Sequence, residues 1–160
     1  MRSLIISVFL VFFGLGQAVS EPAVKVINFT ADWCPNCQIL NPRLDEAISA
    51  FPIGSIERVD LDVTSIRRRS SAIEKAALET ELLQQAGAHK AAYLWNWYGG
   101  LTGLAVAVAA DTGEPIACFM RPMKADDIEN SLKLAKILAE RGKPGTRSPE
   151  RWDCPEPLRG

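Results

Sequence analysis

Trp33-Cys34-Pro35-Asn36-Cys37 joins two segments of different periodicity, and this placement restricts the fold more than any other feature of the chain. Before it, residues 23–30 (AVKVINFT) are apolar and β-branched, the pattern of a buried strand. After it, Ile39, Leu40, Leu44, Ala47, Ile48 and Phe51 recur at the spacing of one helical face. They predict a helix over 35–51, kinked at Pro42, which lacks a backbone donor. A cysteine at such a junction takes the helix N-cap, where unpaired backbone N–H groups and the positive dipole end favour an anion. Cys34 is then the exposed nucleophile of the pair, with a lowered pKa. Pro35 suits the first helical position, because the amide it lacks would have no partner there. Cys37 lies one turn along the same face, close enough for a disulfide. Cys34 can thus attack a substrate disulfide, and Cys37 can resolve the mixed disulfide.

The rest of the chain alternates strands and helices. Residues 56–63 (IERVDLDV) alternate apolar and polar side chains, as a half-buried strand does. Residues 70–86 read as a second helix with Ile73, Ala76, Ala77, Leu83 and Ala86 inward, closed by Gly87. Residues 104–110 and 115–120 are strands joined by a turn at Asp111-Thr112-Gly113, an antiparallel hairpin. Residues 126–140 form the last helix, with Ile128, Leu132, Ala135 and Leu138 on one face. The order is β-α-β-α-β-β-α, an α/β domain over residues 21–142. Residues 143–160 hold four prolines and no periodicity, and read as a tail.

Composition narrows the function classes. A hydrophobic fraction of 48% is too high for a disordered chain. Eighteen basic against 19 acidic side chains leave no electrostatic case for nucleic acid, which needs a basic face. Residues 1–20 open with Met1-Arg2, continue with an apolar run over 4–15, and end with small residues at Ala18 and Ser20. This is the pattern of a secretory signal peptide removed near Ser20. The apolar run falls short of the roughly 20 residues that span a bilayer, and an uncleaved membrane anchor is the alternative. Export to the periplasm or outside the cell would put the thiols in an oxidising compartment.

Other readings of the sulfurs stand beside these. A C-x-x-C pair is half a zinc site, but a closed site needs four ligands, and Cys118, Cys154 and His89 are scattered, so no metal is expected. A purely structural Cys34–Cys37 bridge would close too short a loop to stabilise much. Cys118 and Cys154 either pair, pinning the tail to the fourth strand, or Cys118 is a buried free thiol. His89 reads as a solvated loop residue. Arg67-Arg68-Arg69 reads as a solvated corner or as a docking patch for an acidic partner. The aromatic segment 93–98 (YLWNWY) covers the edge of the core or borders the active site.

From Phe29 to Cys37 (FTADWCPNC), with Pro42 and Leu44-Asp45-Glu46 after it and Arg58-Val59-Asp60-Leu61-Asp62 in the next strand, the chain resembles the thioredoxin family. The likeness covers residues 24–138 and, with the export signal, is similar to the bacterial periplasmic thioredoxin-like proteins. It implies a thioredoxin-like fold with a central mixed sheet flanked by helices. Three departures accompany it. Where the family commonly buries an Asp, six residues before the first cysteine, this chain has Asn28, which does not titrate. Where the family places a cis-proline before its third core strand, this chain has Gly100-Leu101-Thr102-Gly103, and Thr102 takes the substrate-docking position. The segment 64–101 is also longer than the family's usual connection.

The combined reading is an exported thiol–disulfide oxidoreductase acting on protein thiols and disulfides, with Cys34 and Cys37 catalytic and no cofactor. Trp33 shields and shapes the site, and Pro35 and Asn36 tune it. Strong oxidants of the family carry a charged His where this chain has Asn36, which points instead to a reductant or isomerase-like role served by a membrane electron donor or acceptor. The rival from another class is a binding or assembly module that holds partner thiols without turnover. Copper delivery would want a wider cysteine spacing and a histidine ligand.

Overall fold

The computed structural model describes residues 21–148 and 154–158, so the segment read as a signal peptide lies outside the described residues. Its elements run β1 (Val24–Thr30), α1 (Pro35–Ser49), β2 (Ile56–Asp62), α2 (Ala72–Ala88), α3 (Ala92–Tyr98), β3 (Leu104–Ala109), β4 (Pro115–Met120) and α4 (Ala125–Arg141). The sheet order is β2-β1-β3-β4, with β1 parallel to β2 and the β1–β3 and β3–β4 pairs antiparallel. This is the mixed, helix-flanked α/β sheet of the thioredoxin fold.

Alternation along the strands sorts the core onto two faces. Val24 and Val26 pack with Ala105, Ala107 and Ala109 against Leu40, Leu44 and Ala47 of α1 and Ile128, Leu132 and Ala135 of α4. Ile27, Phe29, Val106 and Val108 point the other way, onto Leu82 and Ala86 of α2 and Leu94, Trp95 and Tyr98 of α3. The period of two in a fully buried strand decides this partition. The alanines of β3 keep one face low where α1 and α4 lie over it. β1 is central and buried along its length, so the loop that follows it is held at the carboxyl end of the sheet.

Two expectations about the second helix need correction. It extends through Gly87 to Ala88, and the chain turns at Lys90, whose φ of 59° puts a side-chain-bearing residue in the left-handed region. The Ala91 N–H closes that turn on the Ala86 carbonyl at 2.8 Å. Ile73 is 82% exposed, Leu83 is exposed, and every residue from Ser71 to Ala77 faces solvent. The physical reason is α3, which occupies the sheet-facing position and leaves α2 touching the core only from Leu78 onward. That short helix is the one element beyond the expected order. Ser71 and Glu74 form a reciprocal capping box at the start of α2. Among the described residues no helix is long and apolar enough to cross a membrane.

The described residues beyond α4, 142–148 and 154–158, are tied down. Arg147 is 5% exposed and holds both carboxylate oxygens of Asp111, while Glu114 accepts from the Gly145 and Arg147 amides at 2.8 and 2.6 Å. Cys118 and Cys154 are joined by a disulfide with their Cα atoms 5.1 Å apart. The Tyr98 hydroxyl donates to the Pro155 carbonyl at 2.8 Å, and the Leu158 amide to the Trp97 carbonyl at 2.9 Å. The described residues 154–158 of this strap lie against α3 and β4.

Candidate active site

Cys34 is the N-cap of α1, with extended backbone (φ −87°, ψ 113°), and Pro35 follows in the first turn. The Cys34 Sγ accepts a hydrogen bond from the Cys37 amide at 3.1 Å, one of the donors a helix start leaves without an intrahelical partner. The two cysteines form a disulfide, their Cα atoms 5.2 Å apart. One expectation fails in this oxidised state, since Cys34 is buried, at 2% exposure, beside Cys37 at 1%. The bridge folds both sulfurs inward, into a cluster with Ala31 and Val63. The exposed atoms of the motif belong to Trp33, 45% exposed, and to Pro35 and Asn36.

A polar frame holds the loop ahead of the helix. The Asp32 amide donates to the Thr64 hydroxyl at 2.9 Å, and the Trp33 indole donates to the Thr64 carbonyl at 3.3 Å. The Asp32 carboxylate pairs with Arg67 at 3.1 and 3.3 Å, and the Gln38 side chain donates to the Asp32 carbonyl at 3.0 Å. Trp33 is therefore set by the β2–α2 connection as much as by its own strand.

The loop before β3 closes the other side. Gly103 has φ +81°, and a Cβ built there would stand 2.5 Å from the Asn36 Cβ, so glycine lets this backbone lie against the motif. The Gly103 amide donates to the Phe29 carbonyl at 2.9 Å, and that carbonyl is 3.9 Å from the Cys37 sulfur. Thr102, half-buried, is the residue just ahead of this contact.

Beneath the disulfide, Asn28 is fully buried in the sheet face that α1 covers. Its amide nitrogen donates to Asp60 at 2.7 Å and to Asn41 at 3.1 Å, and Asn41 donates to the Thr30 hydroxyl at 3.0 Å. The parallel register sets Asn28 beside Asp60, and Asn41 lies one turn after Cys37. A carboxamide supplies these donors without a buried charge. The Asn28 Oδ1 is buried with no hydrogen-bond partner among the described residues.

Several residues singled out in the sequence lie elsewhere. His89 caps α2 and meets Lys25 at 3.3 Å and Glu57 at 3.8 Å, at the ends of β1 and β2 opposite Cys34. The aromatic segment does both things expected of it. Leu94, Trp95 and Tyr98 are buried, with Trp95 stacked on Phe29 at 6.3 Å, and Trp95 also lines a groove beside Trp33. Burial pushes the Tyr93 phenol well above its usual range, with Tyr98 and Glu114 adding to it, and its hydroxyl donates to the Gly113 carbonyl at 2.7 Å. The Asp32–Arg67 pair, Thr64, Asn41, Asp60 and Gly103 were not foreseen. Of these only Asn41, four residues after Cys37, carried a local signal.

Residues 15–93 match the family model for thioredoxin. A thiol:disulfide interchange protein DsbE homolog of Paracoccus denitrificans is 34% identical over 44 residues, which is 28% of this chain and 25% of that protein. The chain thus aligns with about a quarter of the length of this curated relative. Two solved structures are similar to the chain at low identity. The thioredoxin family thiol:disulfide interchange protein of Chlorobium tepidum TLS is 20% identical with a TM-score of 0.45, covering 71% of this chain and 79% of that one. StoA of Bacillus subtilis is 17% identical with a TM-score of 0.44, covering 71% and 84%. With its mixed sheet and its Cys34–Cys37 pair at the β1–α1 junction, the chain carries a domain of the thioredoxin family.

Proposed function

We propose that the protein is an exported thiol–disulfide oxidoreductase that reduces or rearranges disulfides in protein substrates. The observation that carries this reading is the Cys37 amide aimed at the Cys34 sulfur at 3.1 Å, at the start of a helix. When the pair is reduced, that amide and the dipole end favour the Cys34 thiolate over the thiol. The thiolate attacks one sulfur of a substrate disulfide. The substrate S–S bond breaks, and its leaving sulfur takes up a proton. Cys37 then gives up its proton and attacks Cys34 in the mixed disulfide, releasing the second substrate thiol. Two electrons have passed to the substrate, and the protein is left with the Cys34–Cys37 disulfide described above. A dithiol donor, which we place at the membrane, reduces that disulfide for the next cycle.

Trp33 shields the pair on its open side, Pro35 and Asn36 tune it, and Thr102 offers backbone to a docking substrate. Asn36 brings no positive charge to the thiolate, which favours a reductant or isomerase over a strong oxidant. The signal-like segment 1–20 supports delivery to the periplasm or outside the cell, by cleavage near Ser20 or as an anchored form.

Dithiothreitol-driven reduction of insulin tests the reading. Wild type should accelerate precipitation, Cys34→Ser should not, and Cys37→Ala should accumulate mixed disulfides that vanish when Cys34 is also replaced. No acceleration by wild type over Cys34→Ser would overturn it. The burial of Cys34 at 2% favours a second reading, a binding module with little turnover, and stable complexes without catalysis in the same assay would establish that instead.

A further inference from the structure

The groove beside Trp33 lies between the first half of α2 and the turn at Gly99-Gly100. Its apolar wall is Val63, Ile66, Leu78 and Trp95, around a cavity of about 260 Å³. A second hollow, sharing Trp33, Ile66 and Lys75 with the first, adds Arg67 and Arg68. The two adjoin as one channel, the first part lined mainly by apolar side chains and the second mainly by basic ones. Arg67 is engaged by Asp32, and Glu79 is the acidic group on the wall. Arg68 and Lys75 are the other cations that line the channel. A neighbouring cleft is lined by three carboxylates, Asp32, Asp60 and Asp62, of which Asp32 pairs with Arg67 and Asp60 with Arg58. The loop that carries Asp32 and Trp33 thus borders cations on one hollow and carboxylates on another, which favours one direction for a charged chain lying across it. The first half of α2, with Ile73 82% exposed, stands away from the core and leaves this channel open.

We propose that the channel docks an acidic, extended segment of the protein substrate, with an apolar side chain in the pocket beside Trp33 and carboxylates against Arg68 and Lys75. This rests on the disulfide-exchange reading and names the substrate class for it. Charge complementarity selects the occupant, since Arg68 and Lys75 attract carboxylates and Asp62 in the neighbouring cleft disfavours them. A nucleic acid fits poorly, because its uniform phosphate charge would meet Asp60 and Asp62 as well.

Calorimetry on the full chain with short synthetic peptides tests the proposal. Each peptide carries serine in place of its cysteine, so binding is read without exchange. An acidic peptide with one large apolar residue should bind tightest, and more weakly as salt rises. Its neutral and basic counterparts, and an acidic peptide without the apolar residue, should bind about tenfold less tightly. The double variant Arg68→Glu, Lys75→Glu alters exposed side chains, should keep the wild-type unfolding midpoint, and should lose about tenfold for the acidic peptide. Equal binding of all peptides, an unaffected double variant, or equal binding of an oligonucleotide would overturn the proposal and leave disulfide exchange untouched. Tight binding of the acidic peptide, with no exchange by its cysteine form, would instead overturn the exchange reading and leave the docking surface standing.

Discussion

At Cys34 the decisive quantity is the free energy of one thiolate, and the neighbouring main chain sets it. The Cys37 amide lies 3.1 Å from the sulfur in the disulfide form, a donor in place for an anion there. Ultraviolet titration of the reduced protein should show Cys34 ionising below the ordinary cysteine pKa of about 8.5, and a value at or above that contradicts the proposed chemistry. Gly103 is the second sensitive position. Gly103→Ala puts a Cβ 2.5 Å from that of Asn36 at a φ of +81°, so it should destabilise the fold by about 1–3 kcal/mol, read as a lower urea midpoint. An unchanged midpoint would mean that the loop does not bear on the motif. At Asn28 the conservative-looking Asn28→Asp would set a second carboxylate where the amide now donates to Asp60 at 2.7 Å. Two carboxylates so close raise the pKa of the pair above that of the unfolded chain, so the folded state binds the extra proton. Stability of this variant should therefore fall as pH rises through the raised value, the reverse of wild-type carboxylates, and a urea midpoint flat with pH would refute it. The roles of Cys34 and Pro35 at a helix start were legible because capping is local. The Asn28–Asp60 and Asp32–Arg67 pairs were not, because strand register and loop packing bring together residues more than thirty positions apart.

The strands and helices divide the same way. β1, β3 and the α4 stripe follow from periodicity, since a buried strand and an amphipathic helix carry their burial in their own spacing. The second helix misled, because its apolar residues share a face without specifying what that face meets, and α3 took the place beside the sheet. The strap has its own predictions. Cys154→Ser opens a bridge between residues 36 positions apart and should cost about 3–4 kcal/mol on the loop-entropy estimate. It should lower the urea midpoint under oxidising conditions while insulin reduction persists, and an unchanged midpoint would show that the other strap contacts suffice. Asp111 gives the strap a pH dependence. The hydrogen bonds from Arg147 hold its carboxyl below the usual 3.8, so its contribution is complete above that value and is lost as pH falls through the lowered one. Proteolysis near residue 143 should accelerate on acidification in that range, and Asp111→Asn should remove the pH dependence.

For the whole molecule, the direction of electron flow is a difference in stability between two redox states. If the domain works as a reductant, the disulfide form must be the more stable fold, since the reduction potential and folding are linked. In a background lacking Cys118 and Cys154, the oxidised protein should unfold at higher urea than the reduced one, and the opposite order would mark an oxidant. Each 30 mV of potential corresponds to about 1.4 kcal/mol of that difference. What the sequence determined alone was whatever depends on neighbours along the chain: the strand before Cys34, the helix after it, the one-turn spacing to Cys37, and the hairpin and final helix that complete the fold. Only the tertiary structure decided how deeply the sulfurs are buried, which side chains frame Trp33, and that Arg68 and Lys75 line a hollow beside it. Those properties come from contacts across the sheet and between helices, where burial and electrostatic energies depend on distances in space that local propensity does not encode.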